Sequence, residues 1–518
     1  MPTVAVVASR PPTGAPAGAR DGITEATSAQ RRTGQLILAA ALAAALVPLL
    51  AVLDDPDLWW HLRVGQWILD HHAIPRSEMF TYTAAGNPVT YHEWGSEVLF
   101  TLLNTAGGLL LLSVVTCVLA WSGLVAIAMR ARQRGASYLA VAVSVLLAAK
   151  VLQTVAGPRP QMLGFALTCW TLLIAERHLA RGGQLVWVLP PIFALWANLH
   201  GGFIYGVGIL IALCAIEAVR NRLRVAGAVP IDRIRSLGLA TAAAATAACV
   251  NPFGPGLYVY SLTAGQTVSH RPIAEWQSPN FHDSSSWALL ALVAVWALLM
   301  ATARPGIRDA VLGTAGIAAA LVAIRNSELA VALAAPAVAV MLGQVRAGLP
   351  VLRRRPLTVG RPGRLAIVLG AATALAVGLG RVVNDSSAAA EGATYPACAA
   401  RVLAAVPGPV RVHAAYGDSG YLILRGWPHL QVYNYGESVS LGDVVLADDL
   451  RISSGTDLPP SAGSLLDESG TNAVLTGQGG PLDQRLDATA GWQLVAIDHG
   501  RALWLRGAGT ATSARLCQ

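Results

Sequence analysis

Three carboxylates lie close together directly after the first long apolar stretch of the chain. They are Asp54, Asp55 and Asp57, and two tryptophans and a histidine follow them. Carboxylates at a membrane boundary are costly unless they are used or paired. Neighbouring carboxylates also raise one another's pKa, which suits a group that removes a proton from a hydroxyl. The cluster therefore predicts a catalytic loop on the membrane surface. A helix cap is the alternative for Asp57, and the two roles are compatible.

Further polar side chains recur at the ends of later apolar stretches. Cations and hydrogen-bond donors at such positions can hold a departing phosphate. The candidate substrate-binding residues are Arg63, His61, His92, Glu93, Arg159, His200, Glu275 and Arg325. A metal site of Asp, His and Glu is conceivable, but no spacing specifies one. No cofactor is therefore certain, and a divalent metal stays an open alternative.

The stretch that follows the carboxylates alternates aromatic and aliphatic residues with polar ones. Trp59, Trp60 and Trp67 lie among leucines and isoleucine. Tryptophan favours the headgroup region of a bilayer. We therefore expect an interfacial helix where a lipid-bound substrate would lie, with simple membrane anchoring as an equally good interpretation.

Composition places these residues in a membrane protein. The 518-residue chain is 54% hydrophobic and only 13% charged, with a mean hydropathy of +0.52, whereas soluble domains carry about 25% charged residues. Lys150 is the only lysine, which with the abundant alanine is typical of a GC-rich bacterial genome. The basic excess precedes Asn384, within the membrane part. It therefore sets orientation rather than binding nucleic acid.

Eleven apolar stretches have about the length that a bilayer requires. They are Gly34–Leu53, Gly108–Ala128, Ala136–Val155, Gln161–Leu179, Leu185–Leu199, Phe203–Val219, Ile234–Val250, Ser286–Ala303, Ala310–Ile324, Leu329–Val345 and Leu365–Val383. Pro190-Pro191 predict a kink in the fifth. Arginines precede the first stretch and fill every second loop, so these loops and the N-terminus should be cytoplasmic. The candidate residues then share the outer face.

These features predict an α-helical polytopic membrane protein with a C-terminal α/β domain. Residues 1–33 should be a disordered cytoplasmic tail, 34–383 the membrane domain with an external first loop at 54–96, and 384–518 an extracytoplasmic soluble domain. Tyr416 to Tyr421 favour a plain turn between strands, with glycan stacking as the alternative. Cys398 and Cys517 bracket the last domain, where a disulfide is permitted.

An acidic pair after the first apolar stretch, at the start of a long external loop with an interfacial helix, resembles the GT-C superfamily of integral-membrane glycosyltransferases. Within that group, the first-loop sequence from Asp55 to Leu62, with His92-Glu93-Trp94, resembles a family of bacterial multi-pass proteins. It is also loosely similar to the first loop of oligosaccharyltransferase catalytic subunits. The further signatures that resemble a bacterial multi-pass family of this group are Arg159-Pro160-Gln161, Trp196 to Gly201 and Glu275-Trp276-Gln277. The resemblance covers roughly Gly34 to Val345.

This resemblance implies transfer of a sugar from a polyprenyl-phosphate donor to a cell-envelope lipid, glycan or protein. The reaction would occur on the outer face of a bacterial plasma membrane, by inverting general-base catalysis. The resemblance maps the base to Asp55 or Asp54, but three candidate acids leave the assignment open. Membrane lipids are the further partners. A transporter or flippase of lipid-linked glycans, or a non-catalytic envelope scaffold, is the alternative function.

Overall fold

The computed structural model describes residues 17–50, 55–263, 273–348, 359–456, 464–507 and 515–517. Helices make up the part before the C-terminal region. They are α1 (Ala17–Ala44), α2 (Leu58–His71), α3 (Trp94–Gln133), α4 (Tyr138–Leu152), α5 (Pro160–Arg181), α6 (Leu189–Leu199), α7 (Phe203–Arg222), α8 (Ile231–Ala247), α9 (Gly256–Thr263), α10 (Trp287–Thr302), α11 (Ile307–Val322), α12 (Ser327–Gly348) and α13 (Arg361–Asp385). The largest buried apolar cluster joins α3, α4, α5 and α12.

The helices confirm a multi-pass membrane protein. Each predicted apolar stretch overlaps a helix. Within the described residues, six helical stretches are long and apolar enough to cross a bilayer. These are Ser28–Leu49, Trp94–Gln133, Phe203–Arg222, Ser284–Thr302, Ile324–Arg346 and Arg361–Asp385. Tyr138–Leu152 and Gln184–Leu199 are apolar but shorter.

Three local predictions differ from the structure. Helix α1 begins at Ala17, so a disordered tail is not the state of residues 17–33, whose alanines favour helix. Pro190-Pro191 do not kink a helix; they lie in the first turn of α6, where proline is tolerated. Helix α3 begins at Trp94 rather than Gly108, and a break at Gly107-Gly108 separates its two parts. Gly108 has φ +64°, a conformation that favours glycine.

The C-terminal region is a mixed sheet with short helices, which confirms the predicted α/β class. Its strands are β1 (Val410–Ala414), β2 (Leu430–Val432), β3 (Ala473–Gly477), β4 (Trp492–Asp498), β5 (Arg501–Arg506) and β6 (Arg515–Cys517), in the order β2-β1-β3-β5-β4-β6. Strand β1 pairs in parallel with β2 and β3, whereas β5 is antiparallel to β3 and β4. Residues Tyr416–Gly426 form a helix, so the predicted turn is wrong.

The oxidation state of the cysteines differs between the helical part and the C-terminal region. Cys398 is disulfide-bonded, whereas Cys117, Cys169, Cys214 and Cys249 are free. The side chain of Cys517 lies outside the described part of the structure, so its pairing with Cys398 stays a prediction. Non-reducing peptide mapping would test it.

The first loop docks on the open edge of the sheet, beside β2. Thr81 forms a parallel bridge with Val432, whose N–H donates to the Phe80 carbonyl at 3.0 Å. The Trp427 indole donates to the Met79 carbonyl at 2.8 Å. The loop thus adds a short strand segment to the sheet, a recognised mode of edge pairing. This pairing holds the C-terminal region against the loop that carries the aspartates.

Candidate functional site

A cavity of about 240 Å³ lies where the first loop meets the helix ends and the C-terminal region. The first loop contributes Asp57, Trp60, His61 and Thr90 to Glu93. The helical part contributes Glu97, Gln161, His200 to Gly202, Tyr260, Glu275, Trp276, Arg325 and Glu328, and the C-terminal region Tyr416, Gly436, Glu437 and Val439. The cavity therefore brings together residues from distant parts of the chain.

Asp57 presents its carboxylate to this cavity. It occupies the N-cap position of α2, but its side chain makes no capping hydrogen bond. Instead it accepts a bond from the Trp60 indole at 3.0 Å and a longer one from the Tyr416 hydroxyl at 3.5 Å. Burial, and then the nearby charge of Asp55, raises the pKa of Asp57 to about 7. The helix-cap interpretation is therefore not realised, and the carboxylate can exchange protons near neutrality.

Asp55 lies behind Asp57, and each of its carboxylate oxygens has a partner. Only 3% of it is exposed. Its Oδ1 accepts the Asp57 backbone N–H at 3.0 Å, and its Oδ2 lies 3.0 Å from Arg159 Nε. Burial raises the pKa of Asp55, although the Arg159 guanidinium opposes the rise. Asp54, the third predicted acid, lies outside the described residues.

Two arginines and a glutamate form what we call the arginine end of the cavity, together with Trp276. Glu275 bridges the arginines: its Oε2 lies 3.0 Å from Arg159 Nη1 and its Oε1 lies 3.4 Å from Arg325 Nη1. The Arg325 guanidinium stacks 4.0 Å above the Trp276 ring. The charge of Asp55 is the main cause that raises the pKa of Arg159. Arg159 is held by Asp55 and Glu275, so the guanidinium that this end presents to the cavity is that of Arg325.

Glu93 lies among three imidazoles on the opposite side. Its carboxylate is 3.4 Å from His92 Nε2, 3.6 Å from His200 Nε2 and 3.9 Å from His61 Nε2. Burial lowers the pKa of His61 and of His200 to about 4, so both are neutral at pH 7. Burial opposes the charged form of His92, but Glu93 outweighs it and raises that pKa. Burial alone would raise the pKa of Glu93, yet the imidazoles, His92 foremost, lower it to about 2. Glu93 and His92 therefore form an ion pair.

Two further carboxylates complete what we call the acidic end, which comprises His61, His92, Glu93, Glu97, Tyr260 and Glu437. Glu97 Oε1 lies 3.3 Å from His61 Nδ1, while its buried Oε2 has no hydrogen-bond partner among the described residues. Glu437 accepts the Tyr260 hydroxyl at 3.4 Å and the Val439 N–H at 2.9 Å. Burial raises the pKa of Glu437 to about 7.

Most of the predicted substrate-binding residues meet at the cavity. Six line it directly, namely His61, His92, Glu93, His200, Glu275 and Arg325. Arg159 does not line the cavity but forms ion pairs with Asp55 and with Glu275. Arg63 lies elsewhere: it donates to the Trp427 carbonyl at 3.2 Å and packs 4.9 Å from that indole ring. Among the described residues, no group of three or more His, Cys, Asp or Glu is arranged to hold a metal ion.

Sequence reasoning missed several polar residues of the cavity, among them Glu97, Tyr260, Glu328 and Glu437. Glu97 carried a signal, because it is a carboxylate inside an apolar helix. Tyr416 carried only the signal of an aromatic residue in a predicted turn and Glu437 carried none, since the docking of the C-terminal region on the first loop brings both to the cavity. The close fit is visible at Gly436, where a Cβ would overlap the Asp57 carboxylate and the Trp60 indole.

No protein-family model and no curated protein matches the chain. Solved structures do match. ArnT from Cupriavidus metallidurans bound to undecaprenyl phosphate has a TM-score of 0.54 at 15% identity, over 92% of this chain and 98% of that one. The archaeal oligosaccharyltransferase AglB from Archaeoglobus fulgidus, in complex with an inhibitory peptide and a dolichol-phosphate, has a TM-score of 0.51 at 12% identity, over 86% and 69%. The oligosaccharyltransferase of that organism in its apo form has a TM-score of 0.50 at 12% identity, over 92% and 74%.

These matches show the fold. Over most of its length the chain has the GT-C-like architecture that its resemblance to that superfamily predicted.

Proposed function

We propose that this GT-C-like protein is a glycosyltransferase that moves a sugar from a polyprenyl-phosphate donor to a hydroxyl of an envelope lipid, glycan or protein. The observation that carries the proposal is Asp57, a cavity-lining carboxylate with a pKa of about 7. Proteins of similar fold were solved with undecaprenyl phosphate and with a dolichol-phosphate, which supports the class of donor.

The reaction that fits this site is an inverting displacement at the anomeric carbon. The acceptor oxygen forms a bond to that carbon while the bond from the carbon to the phosphate oxygen breaks. The acceptor's proton passes to Asp57, and polyprenyl phosphate leaves with the electron pair. Arg325 lines the cavity and stabilises the negative charge that develops on the phosphate.

Asp57 suits the role of base better than Asp55. A general base works best when its pKa lies near the working pH and when it can reach the reacting proton. Asp57 meets both conditions, whereas Asp55 does not line the cavity and is held by Arg159. We therefore assign Asp55 to positioning: it orients Arg159, which in turn fixes Glu275 and Arg325.

The proposed topology follows from the alternation of arginine-rich loops. Eleven spans would place the N-terminus in the cytoplasm and the cavity on the outer face of a bacterial plasma membrane. Residues 34–383 form the membrane domain, and residues 384–518 an extracytoplasmic domain. A lipid-linked donor would enter from the outer leaflet, beside the amphipathic helix α2.

Donor consumption by the purified full-length protein tests this function. The protein in lipid nanodiscs is incubated with a panel of polyprenyl-phosphate sugars and envelope extract, and released polyprenyl phosphate is measured. Asp57→Asn should abolish release, while Asp487→Asn, a matched change at an exposed residue, should not. Equal release by wild type and Asp57→Asn, or no release from any donor, would contradict the proposal.

A further inference from the structure

The ionisable side chains around the cavity fall into two groups that meet at Asp57. The arginine end carries Arg159 and Arg325, and the acidic end carries Glu93, Glu97 and Glu437. Trp60 connects them, because its indole donates to Asp57 while its ring lies 3.7 Å from the His61 ring. An anionic donor phosphate is attracted to the arginine end and repelled by the other.

The geometry of an inverting displacement indicates which substrate binds at the acidic end. The attacking hydroxyl approaches the sugar from the side opposite to the leaving phosphate. With the phosphate at Arg325 and the base at Asp57, the acceptor occupies the space towards Glu97 and Glu437. The residues that line that space therefore indicate the chemical class of the acceptor.

The acidic end has more carboxyl groups than cationic partners. Glu93 is paired with His92, and no other protein cation contacts Glu97 or Glu437 among the described residues. Glu97 is 1% exposed and meets only the neutral His61. Glu437 is 8% exposed and accepts only neutral donors. Buried carboxyl groups without a counter-charge favour the protonated form, and a bound cation favours the ionised form.

Glu97 also has a buried acceptor atom that the protein leaves unused. Its Oε2 is free of hydrogen bonds within the described residues, although the residue lines the cavity. Buried polar atoms are almost always paired, so an unpaired one at a cavity wall marks a contact that a ligand completes. An ammonium group would supply a hydrogen-bond donor to Glu97 Oε2 and a counter-charge to both Glu97 and Glu437, because it is positive and donates three hydrogen bonds.

We propose that the acceptor carries a protonated amine near its reacting hydroxyl, and that Glu97 and Glu437 bind this amine. The inference deepens the proposed function and rests on it for the identification of the bound group as the acceptor. The chemical class is an amino sugar, or a lipid whose headgroup carries both a free amine and a free hydroxyl. Phosphatidylethanolamine, whose headgroup hydroxyl is esterified, serves below only as a probe for binding of the amine. A neutral glycan would supply no counter-charge that favours the ionised form of either group.

Binding is measured separately from transfer, with full-length protein in nanodiscs at pH 7. One arm titrates glucosamine against N-acetylglucosamine, which differ by the charge of the amine. The other arm compares nanodiscs that contain phosphatidylethanolamine with nanodiscs that contain its N-acetylated form, and follows the midpoint of thermal unfolding. The arm that responds identifies a sugar amine or a lipid amine as the source.

The charged amine should bind at least about tenfold more tightly than its acetylated partner, as expected for a charge-assisted hydrogen bond. Glu97→Gln and Glu437→Gln should each remove most of this preference, whereas Glu468→Gln, at an exposed position, should keep it. Glu437 lies outside the membrane-spanning helices, so its variant provides the test if Glu97→Gln fails to fold.

Two results would overturn the inference: equal binding of both probes in both arms, or a preference for the amine that survives in Glu437→Gln. Failure of the inference and failure of the proposed function are distinguishable. If a donor is consumed but no amine is preferred, the amine site is wrong and the transferase stands. If an amine binds through Glu97 and Glu437 while no donor is consumed, the carboxylates do bind an amine and the transferase assignment is wrong.

Discussion

The indole N–H of Trp60 donates to Asp57 Oδ1 at 3.0 Å. Asp57 is the N-cap residue of α2, and Trp60 lies in the first turn of that helix. This bond fixes one carboxylate oxygen and leaves Oδ2 towards the Tyr416 hydroxyl. The orientation of the proposed base therefore depends on an aromatic neighbour in the first loop and on a residue of the C-terminal region.

Asp57→Asn should lower the rate of sugar transfer by about 10²–10⁴-fold, the usual cost of losing a general base. An asparagine oxygen can still accept the Trp60 indole, so unfolding and membrane insertion should be unchanged. The turnover number and the Michaelis constant for the donor are measured for both proteins. Near-normal turnover of the variant would remove Asp57 from the reaction.

Activity should rise as the pH increases through about 7, because only the ionised form of Asp57 accepts a proton and its pKa is about 7. Asp55 contributes to this raised pKa through its charge, so Asp55→Asn should shift the inflection to lower pH. The measurement is the turnover number at saturating acceptor against pH. Glu437 titrates in the same range, and Glu437→Gln should retain the inflection. An inflection that does not move in Asp55→Asn would contradict the coupling.

Arg325→Ala should reduce turnover by about 10²-fold or more, because a fixed positive group is lost where charge develops on the departing phosphate. Arg451→Ala serves as the matched control, since Arg451 is an exposed arginine of the C-terminal region. Rates are compared at equal amounts of folded protein. The same loss in both variants would point to a general effect of arginine removal and against the proposed role.

Gly436→Ala should inactivate the protein and lower its thermal stability. A methyl group there would overlap the Asp57 carboxylate and the Trp60 indole, neither of which can move without breaking their hydrogen bond. Gly477→Ala introduces the same group where no atom lies within 4 Å, and should be tolerated. Thermal unfolding and transfer rate are followed together. Wild-type behaviour of Gly436→Ala would show that the loop and the sheet are less closely packed than described.

Alkaline phosphatase fused after Asn384 should be active, because this reporter folds only outside the cytoplasm and one span separates Asn384 from the arginines near 346–364. A cytoplasmic reporter fused at the same residue should be inactive. The opposite pair of activities would require one span more or fewer than the proposed eleven.

The sequence was most informative where physical constraints are local. Bilayer thickness fixes the length of an apolar helix, and each predicted stretch overlaps one. His92 and Glu93 could be recognised because such polar residues are unusual beside apolar stretches. Asp57 was harder, since a carboxylate before a helix is usually a cap. Its second partner, Tyr416, lies 359 positions further along the chain.

The acidic end shows why the rest could not be predicted. Glu437 precedes a helix of the C-terminal region that is interrupted at Gly442, and contacts with the first loop, such as the pairing of Thr81 with Val432, bring that segment to the cavity. The strand contact itself is made by a short loop segment without strand periodicity. Its register depends on the Trp427 indole and on Tyr435, which donates to Glu78 at 2.6 Å.

The contact between the first loop and the sheet edge also determines when the site can exist during biosynthesis. Residues near Thr81 leave the ribosome early, whereas β2 and Glu437 follow only after α13, the last long apolar helix, has been made. Until then the nascent chain has Asp57 and Arg325 but lacks the wall formed by Gly436 and Glu437. On the proposed function and topology, a partly inserted chain would not consume donor lipid, and the protein would become competent only once its last domain has crossed the membrane and folded.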